Sequence, residues 1–193
     1  MRSNLVKLSL IALFSLSSQA LAAWKLDNQN SNLSFVSVKK STIAEVHSFT
    51  KLTGKVSEQG VAKIIIDLTS VETNIPIRNE RMQQHLFETS SFSSATIESQ
   101  FSPDIFNKLS KQDSILTTLT FTLTLHGKQQ SLSSKVRVSE IDDRIVVSSM
   151  QPVIVNAAQF DLVNGIEKLR ALASLPSIAT AVPVSFNLSF VKK

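Results

Sequence analysis

Arg78, Arg81 and His85 fall at i, i+3 and i+7, a spacing that gathers side chains on one side of a helix. Two guanidinium groups and an imidazole placed together offer the donors that a phosphate or diphosphate takes. The same residues also suit a solvated helix face, and Arg78 is close enough in sequence to Thr73 to bond loop carbonyls there and hold the helix down. Glu45 and His47 stand two apart, which in a strand puts both on one face, where they would supply two ligands for a metal. The other histidines, at 85 and 126, are remote from them, so no metal is assigned. Serine is abundant, yet none is marked as strained or activated, and no catalytic residue is assigned. Glycines at 54, 60, 127 and 165 are too dispersed for a dinucleotide loop, a phosphate loop or a nucleophile elbow. The absence of cysteine excludes disulfides, thiolate metal sites and cysteine nucleophiles.

Whatever these groups do, strands must position them. In Ile115 to Leu125, residues 115, 119, 121, 123 and 125 are apolar while Thr118, Thr120, Thr122 and Thr124 take the other parity, the mark of a strand with one buried face. Val182 to Phe190 repeats the pattern, with Pro183 confined to a strand start or edge. Further strands are expected over Leu33 to Val38, Ile43 to Phe49, Ala62 to Leu68, Ala95 to Phe101, Leu132 to Val138 and Ile145 to Ile154. Two short helices interrupt them: one opened by Asn74 and Pro76 with Met82 and Leu86 inward, and one near 165 to 174 begun by a capping box of Asn164 and Glu167. The expectation is an all-β chain, an antiparallel barrel of about eight strands with one or two short helices, because closure removes exposed edges.

The 193 residues, 42% hydrophobic and 18% charged, suit one globular domain. Arg2 and Lys7, the apolar run Leu8 to Leu16, and Ala20-Leu21-Ala22 read as a secretory signal cleaved after Ala22. The organisation is then a signal over 1–22 and one domain over 23–193, exported, with a bacterial periplasm fitting best. Without Arg2 and Lys7 the net charge falls from +5 to +3, and the basic residues are scattered, so nucleic acid is excluded as a partner. A transmembrane barrel is disfavoured by the lack of aromatic girdles: Trp24 is the only Trp and there is no Tyr.

Several strings carry a resemblance. Ser70-Val71-Glu72-Thr73, then Arg78-Asn79-Glu80-Arg81-Met82 and His85-Leu86-Phe87, resemble the central signature of the YceI-like family of bacterial polyisoprenoid-binding proteins. Leu123-Thr124-Leu125-His126-Gly127-Lys128 is similar to its hairpin, Val182-Pro183-Val184-Ser185-Phe186 to its closing strand, and Trp24-Lys25-Leu26-Asp27 to its mature start. Asn79, Arg81 and Ser93 stand where relatives often carry Asp, His and Pro. The resemblance implies a lipocalin-like barrel that carries or sequesters an isoprenoid lipid, polyprenyl or quinone-like, without enzymatic chemistry and with no cofactor beyond that lipid. It also implies transient contact with a membrane or a membrane cytochrome, and leaves the oligomeric state open.

Within such a barrel, Phe35, Phe101, Leu119, Phe121, Leu123, Phe186, Leu188 and Phe190 are the expected apolar lining, with Arg78, Arg81 and His85 at a head group. An alternative holds for the same residues, a packed core with no room for a ligand. Two further alternatives are an enzyme acting on a lipid or quinone in the same pocket, and a ligand-free protein that acts through its outer surface.

Overall fold

The computed structural model describes residues 22–193; the expected signal lies outside them except for Ala22. The chain crosses the molecule eight times, and four crossings are kinked, so that eight passes yield twelve strands. The first pass is β1 (Ala22–Leu26) and β2 (Asn32–Lys39), joined by a 3-10 turn at Asn28–Asn30. The second is β3 (Ile43–Phe49) and β4 (Leu52–Ser57), and the third is β5 (Val61–Asp67) and β6 (Val71–Glu72) about a 3-10 turn at Leu68–Ser70. β7 (Ser94–Gln100), β8 (Ser114–Leu125) and β9 (Lys128–Ile141) follow unbroken. β10 (Arg144–Ser149) and β11 (Val153–Asn156) make the seventh pass, and β12 (Ala181–Lys192) the eighth.

Each pass pairs antiparallel with the next, and β12 returns to β1 and β2, with Leu26 opposite Phe190 and Leu33 opposite Phe186. The result is an all-β, closed, eight-stranded antiparallel barrel of lipocalin-like form. Inward positions alternate along every pass: Ala62, Ile64 and Ile66 on β5 are buried while Val61, Lys63 and Ile65 are exposed. At the β8–β9 hairpin, His126 and Gly127 both have positive φ, 50° and 73°, the geometry of a tight two-residue turn that glycine permits.

Every expected strand falls on a different pass. Ile145 to Ile154 is corrected from one strand to two, because Pro152 has no N–H to give the ladder. The kinks follow local side chains: Asp27 accepts from Gln29 N at 3.1 Å and Asp67 from Thr69 N at 2.9 Å, each turning the chain into a 3-10 turn.

Helices number three among the described residues: α1 (Pro76–His85), α2 (Asp104–Leu109) and α3 (Val163–Leu172). Because passes alternate in direction, α1 and α3 lie at one end of the barrel, here the top, and α2 at the bottom. The expected capping box does not form. α3 starts two residues earlier, with Leu162 at its N-cap and no side-chain bond, and Glu167 instead accepts from Arg170 Nε at 2.7 Å.

Candidate functional site

The inner faces of β2 and β3 change character toward the top. Leu33, Phe35, Ser37 and Lys39 share one parity on β2, and register sets Phe35 opposite His47 and Ser37 opposite Glu45 on β3. Hydrocarbon therefore gives way to hydroxyl, imidazole, carboxylate and ammonium within a few residues. Above them α1 adds Arg78, Arg81 and Met82, and α3 adds Ile166 and Leu169.

These elements enclose a cavity of about 390 Å³, within the range of small-molecule sites. Phe35 and Leu123 line it, with Phe49, Leu125, Leu132 and Val184. A second cavity of about 100 Å³ lies toward the bottom, lined by Phe101, Leu119, Leu188 and Phe190. Phe121 and Phe186 line both. The bottom is sealed by α2, whose Phe106 stacks on Trp24 with ring centroids 4.3 Å apart and planes at 16°. The eight apolar residues expected from alternation thus all face one chamber or the other.

At the mouth, Glu45 Oε2 accepts from Lys39 Nζ and from Arg78 Nη1, each at 2.6 Å. Lys39 holds the Glu45 carboxyl below its ordinary range, and the charge of Arg78 adds to this against the cost of burial. The other arm of Arg78 donates to the Thr73 carbonyl at 2.6 Å, fastening α1 to the loop before it. Asn79 completes the fastening: its Oδ1 accepts from the Thr73 N–H at 2.9 Å and hydroxyl at 2.6 Å, and its Nδ2 donates to Glu72 Oε1 at 3.1 Å. Arg81 makes one long bond, 3.4 Å from Nη1 to the Leu172 carbonyl, and lines the upper chamber. His85 does not line it; the residue stands at the other end of α1, where its backbone faces Gly165 of α3. Arg78, Arg81 and His85 are therefore not one cluster: the mouth carries the first two together with Lys39.

His47 is buried and shares a 2.9 Å hydrogen bond between its Nε2 and Ser37 Oγ. Burial pushes the His47 pKa down, with the charges of Arg78 and Lys39 acting in the same direction and Glu45 against them. A serine bonded to a neutral imidazole is the start of a nucleophile and base, but in a triad the carboxylate sits at the imidazole's other nitrogen. Here Glu45 lies 3.9 Å from the same Nε2, and Nδ1 is buried without a partner. Glu45 and His47 do share an inward face, as their spacing requires, but the carboxylate is engaged by two cations. Among the described residues no group of three His, Cys, Asp or Glu converges on one point.

Sequence reading alone missed Ser37 and Lys39 as part of the mouth, and considered His47 only for a metal. Parity carried the signal, since both residues continue the Leu33 and Phe35 face.

The model of the YceI-like domain matches residues 24–190. Among solved structures, a polyisoprenoid binding domain from Saccharophagus degradans implicated in plant cell wall breakdown is 38% identical, with a TM-score of 0.86, over 90% of this chain and all of that one. BcnA of Burkholderia cenocepacia is 20% identical, TM-score 0.66, over 85% of this chain and 98% of that one. A Campylobacter jejuni YCEI protein is 15% identical, TM-score 0.52, over 76% and 84%; the last two show the fold. No curated protein matches the chain. A match spanning nearly all of the barrel, and a close structural relative that shares more than a third of its residues, make this chain a member of the YceI-like domain family.

Proposed function

We propose that the protein binds an isoprenoid lipid, polyprenyl or quinone-like, with its tail in the upper chamber and its head at the mouth, for transport, storage or protection. The observation that carries this reading is the 390 Å³ cavity, apolar through its depth and polar toward its mouth, at Ser37, His47, Lys39, Arg78 and Arg81. Each Å² of tail taken from water is worth about 25 cal/mol, so a tail binds firmly with few polar contacts. The 38% identical relative is itself described as polyisoprenoid binding. Extracting protein purified from its native host with organic solvent, then identifying the extract by mass spectrometry, tests the reading. A prenyl lipid in stoichiometric amount is the expected result, and a folded protein without lipid defeats it.

The binding is non-enzymatic in this reading and needs no cofactor. The unpartnered Nδ1 of His47 supports it, and a prenyl ester incubated with the protein should be recovered intact.

Loading from a membrane fits the rim, where Ile75 and Ile77 line the chamber while 43% and 51% exposed, together with Lys39 and Arg81. Export to the periplasm follows from the basic, apolar and small-residue succession before Ala23. Intact mass of the exported form beginning at Ala23 is the expected outcome.

A further inference from the structure

The two chambers adjoin at four side chains common to both linings: Leu33, Ile97, Phe121 and Phe186. Their positions in the ring place them at one level of the barrel. Ile97 and Phe121 stand on β7 and β8, the fourth and fifth passes, while Leu33 and Phe186 face each other in register on β2 and β12, the first and eighth. In a ring of eight, these pairs are diametrically opposed, so their side chains converge across the middle of the barrel. Both phenylalanines are only partly buried, whereas Leu188 and Phe190 below them are 4% and 3% exposed. Open volume on either side gives the two rings room to turn.

The lower chamber has its own chemistry. The hydroxyl of Ser99 donates to the Thr120 carbonyl at 2.7 Å, and that of Ser134 lies 3.5 Å from the Lys135 carbonyl. The remaining lining is hydrocarbon apart from the indole of Trp24, and α2 lies across the far end. A polar head group would find no open partner there.

We infer that the lower chamber is a subsite for the last isoprene unit of a tail entering from the mouth, and that Phe121 and Phe186 gate it. This rests on the lipid-binding reading above and gives it a length. An apolar protein cavity of about 150 Å³ holds a benzene, with six carbons, so the 390 Å³ chamber takes roughly 15 carbons, or three isoprene units, and the 100 Å³ chamber roughly four, close to one unit. Farnesol then fills the upper chamber with the gate shut. Geranylgeraniol needs the gate open for its fourth unit.

Trp24, the only tryptophan, lines the lower chamber alone and reports on it. Titration with geraniol, farnesol and geranylgeraniol should leave Trp24 emission unchanged by the first two and shift it with the third. Opening the gate uses part of the gain from the fourth unit, so affinity should rise little from farnesol to geranylgeraniol. In Phe121→Leu, and more so in Phe121→Ala, that last step should grow to about tenfold. Leu119→Phe, which fills the lower chamber, should remove the gain for geranylgeraniol over farnesol. Should Phe121→Ala not fold, Phe186→Leu opens the same wall from the other side. A Trp24 response to farnesol equal to that for geranylgeraniol, or the same step in affinity with and without Phe121, would overturn the gate. Folded protein that binds none of the three prenols would defeat the lipid-binding reading itself.

Discussion

Arg78 of α1 and Glu45 of β3 meet at 2.6 Å, Nη1 to Oε2, across a gap of 33 residues in sequence, and this pair ties the helix over the mouth to the barrel wall. With its second arm on the Thr73 carbonyl, Arg78 has both terminal nitrogens engaged by the protein. A guanidinium so occupied holds structure first.

Arg78→Ala should therefore lower stability by about 1.5 to 3 kcal/mol, the worth of hydrogen bonds to charged groups. Affinity for a prenyl phosphate and for the matching prenol should fall by the same factor. Arg81→Ala, which gives up only a 3.4 Å bond, should leave the melting temperature nearly unchanged and weaken the phosphate selectively. Thermal melts with paired titrations separate the two; a phosphate-selective loss in Arg78→Ala would return that residue to the head group.

Asn79→Asp should destabilise the protein at neutral pH although it changes a single atom. The amide now donates to Glu72, a bond that lowers the Glu72 pKa, while its oxygen accepts from Thr73. A second carboxylate would replace attraction by repulsion. Denaturant midpoints should show the deficit at pH 7 and recover part of it near pH 4, where one carboxyl is protonated.

Stability should fall as pH drops from 7 toward 4. The unfolded chain takes a proton on His47 near 6.5, while the folded chain, with that pKa depressed by burial, resists it; the loss begins at 6.5 and ends at the lower folded value. Glu45, also depressed, contributes fully above 4.5 and is lost below it. His47→Gln should flatten the upper part of the profile and leave the lower part in place. Urea midpoints measured across this range test it, and an unchanged upper slope would assign the effect to other groups.

Gly165→Ala should loosen the top of the barrel. A Cβ there would stand 2.6 Å from the His85 carbonyl and 2.9 Å from Leu86 Cα, both backbone atoms that cannot swing aside. Overpacking of this kind costs roughly 1 to 3 kcal/mol. Faster hydrogen exchange confined to α1 and α3 is the expected pattern, while uniform loss across the strands would point to a different role.

Alternation made the barrel legible because parity is a property of one strand at a time. Phe121 and Phe186 could be placed inward without knowing what faces them. The polar mouth was harder, since it depends on pairing: Ser37 meets Glu45 only through the register of β2 on β3, and Arg78 reaches Glu45 only because α1 folds over that hairpin. His85 was grouped with the arginines by helical spacing, but spacing does not say where a helix ends over its neighbour. The six-residue α2 is too short for periodicity to mark, and with it the bottom seal went unseen. β1 and β4 were hidden for a similar reason, each being a brief run beyond a kink.

β12 is the one pass that runs unbroken beside two kinked ones, joined to β1 and β2 on one side and to β10 and β11 on the other. Every strand it joins precedes it in the chain, so seven passes must emerge before the ring can shut. Until then the nascent sheet is an open trough, with the future cavity wall facing outward and two long edges unpaired. Pairing β1 with β12 links residues more than 160 positions apart, a slow, non-local step. Formation of the interior thus waits for the arrival of the last pass, which gives a hydrophobic passenger its widest access just before the ring shuts.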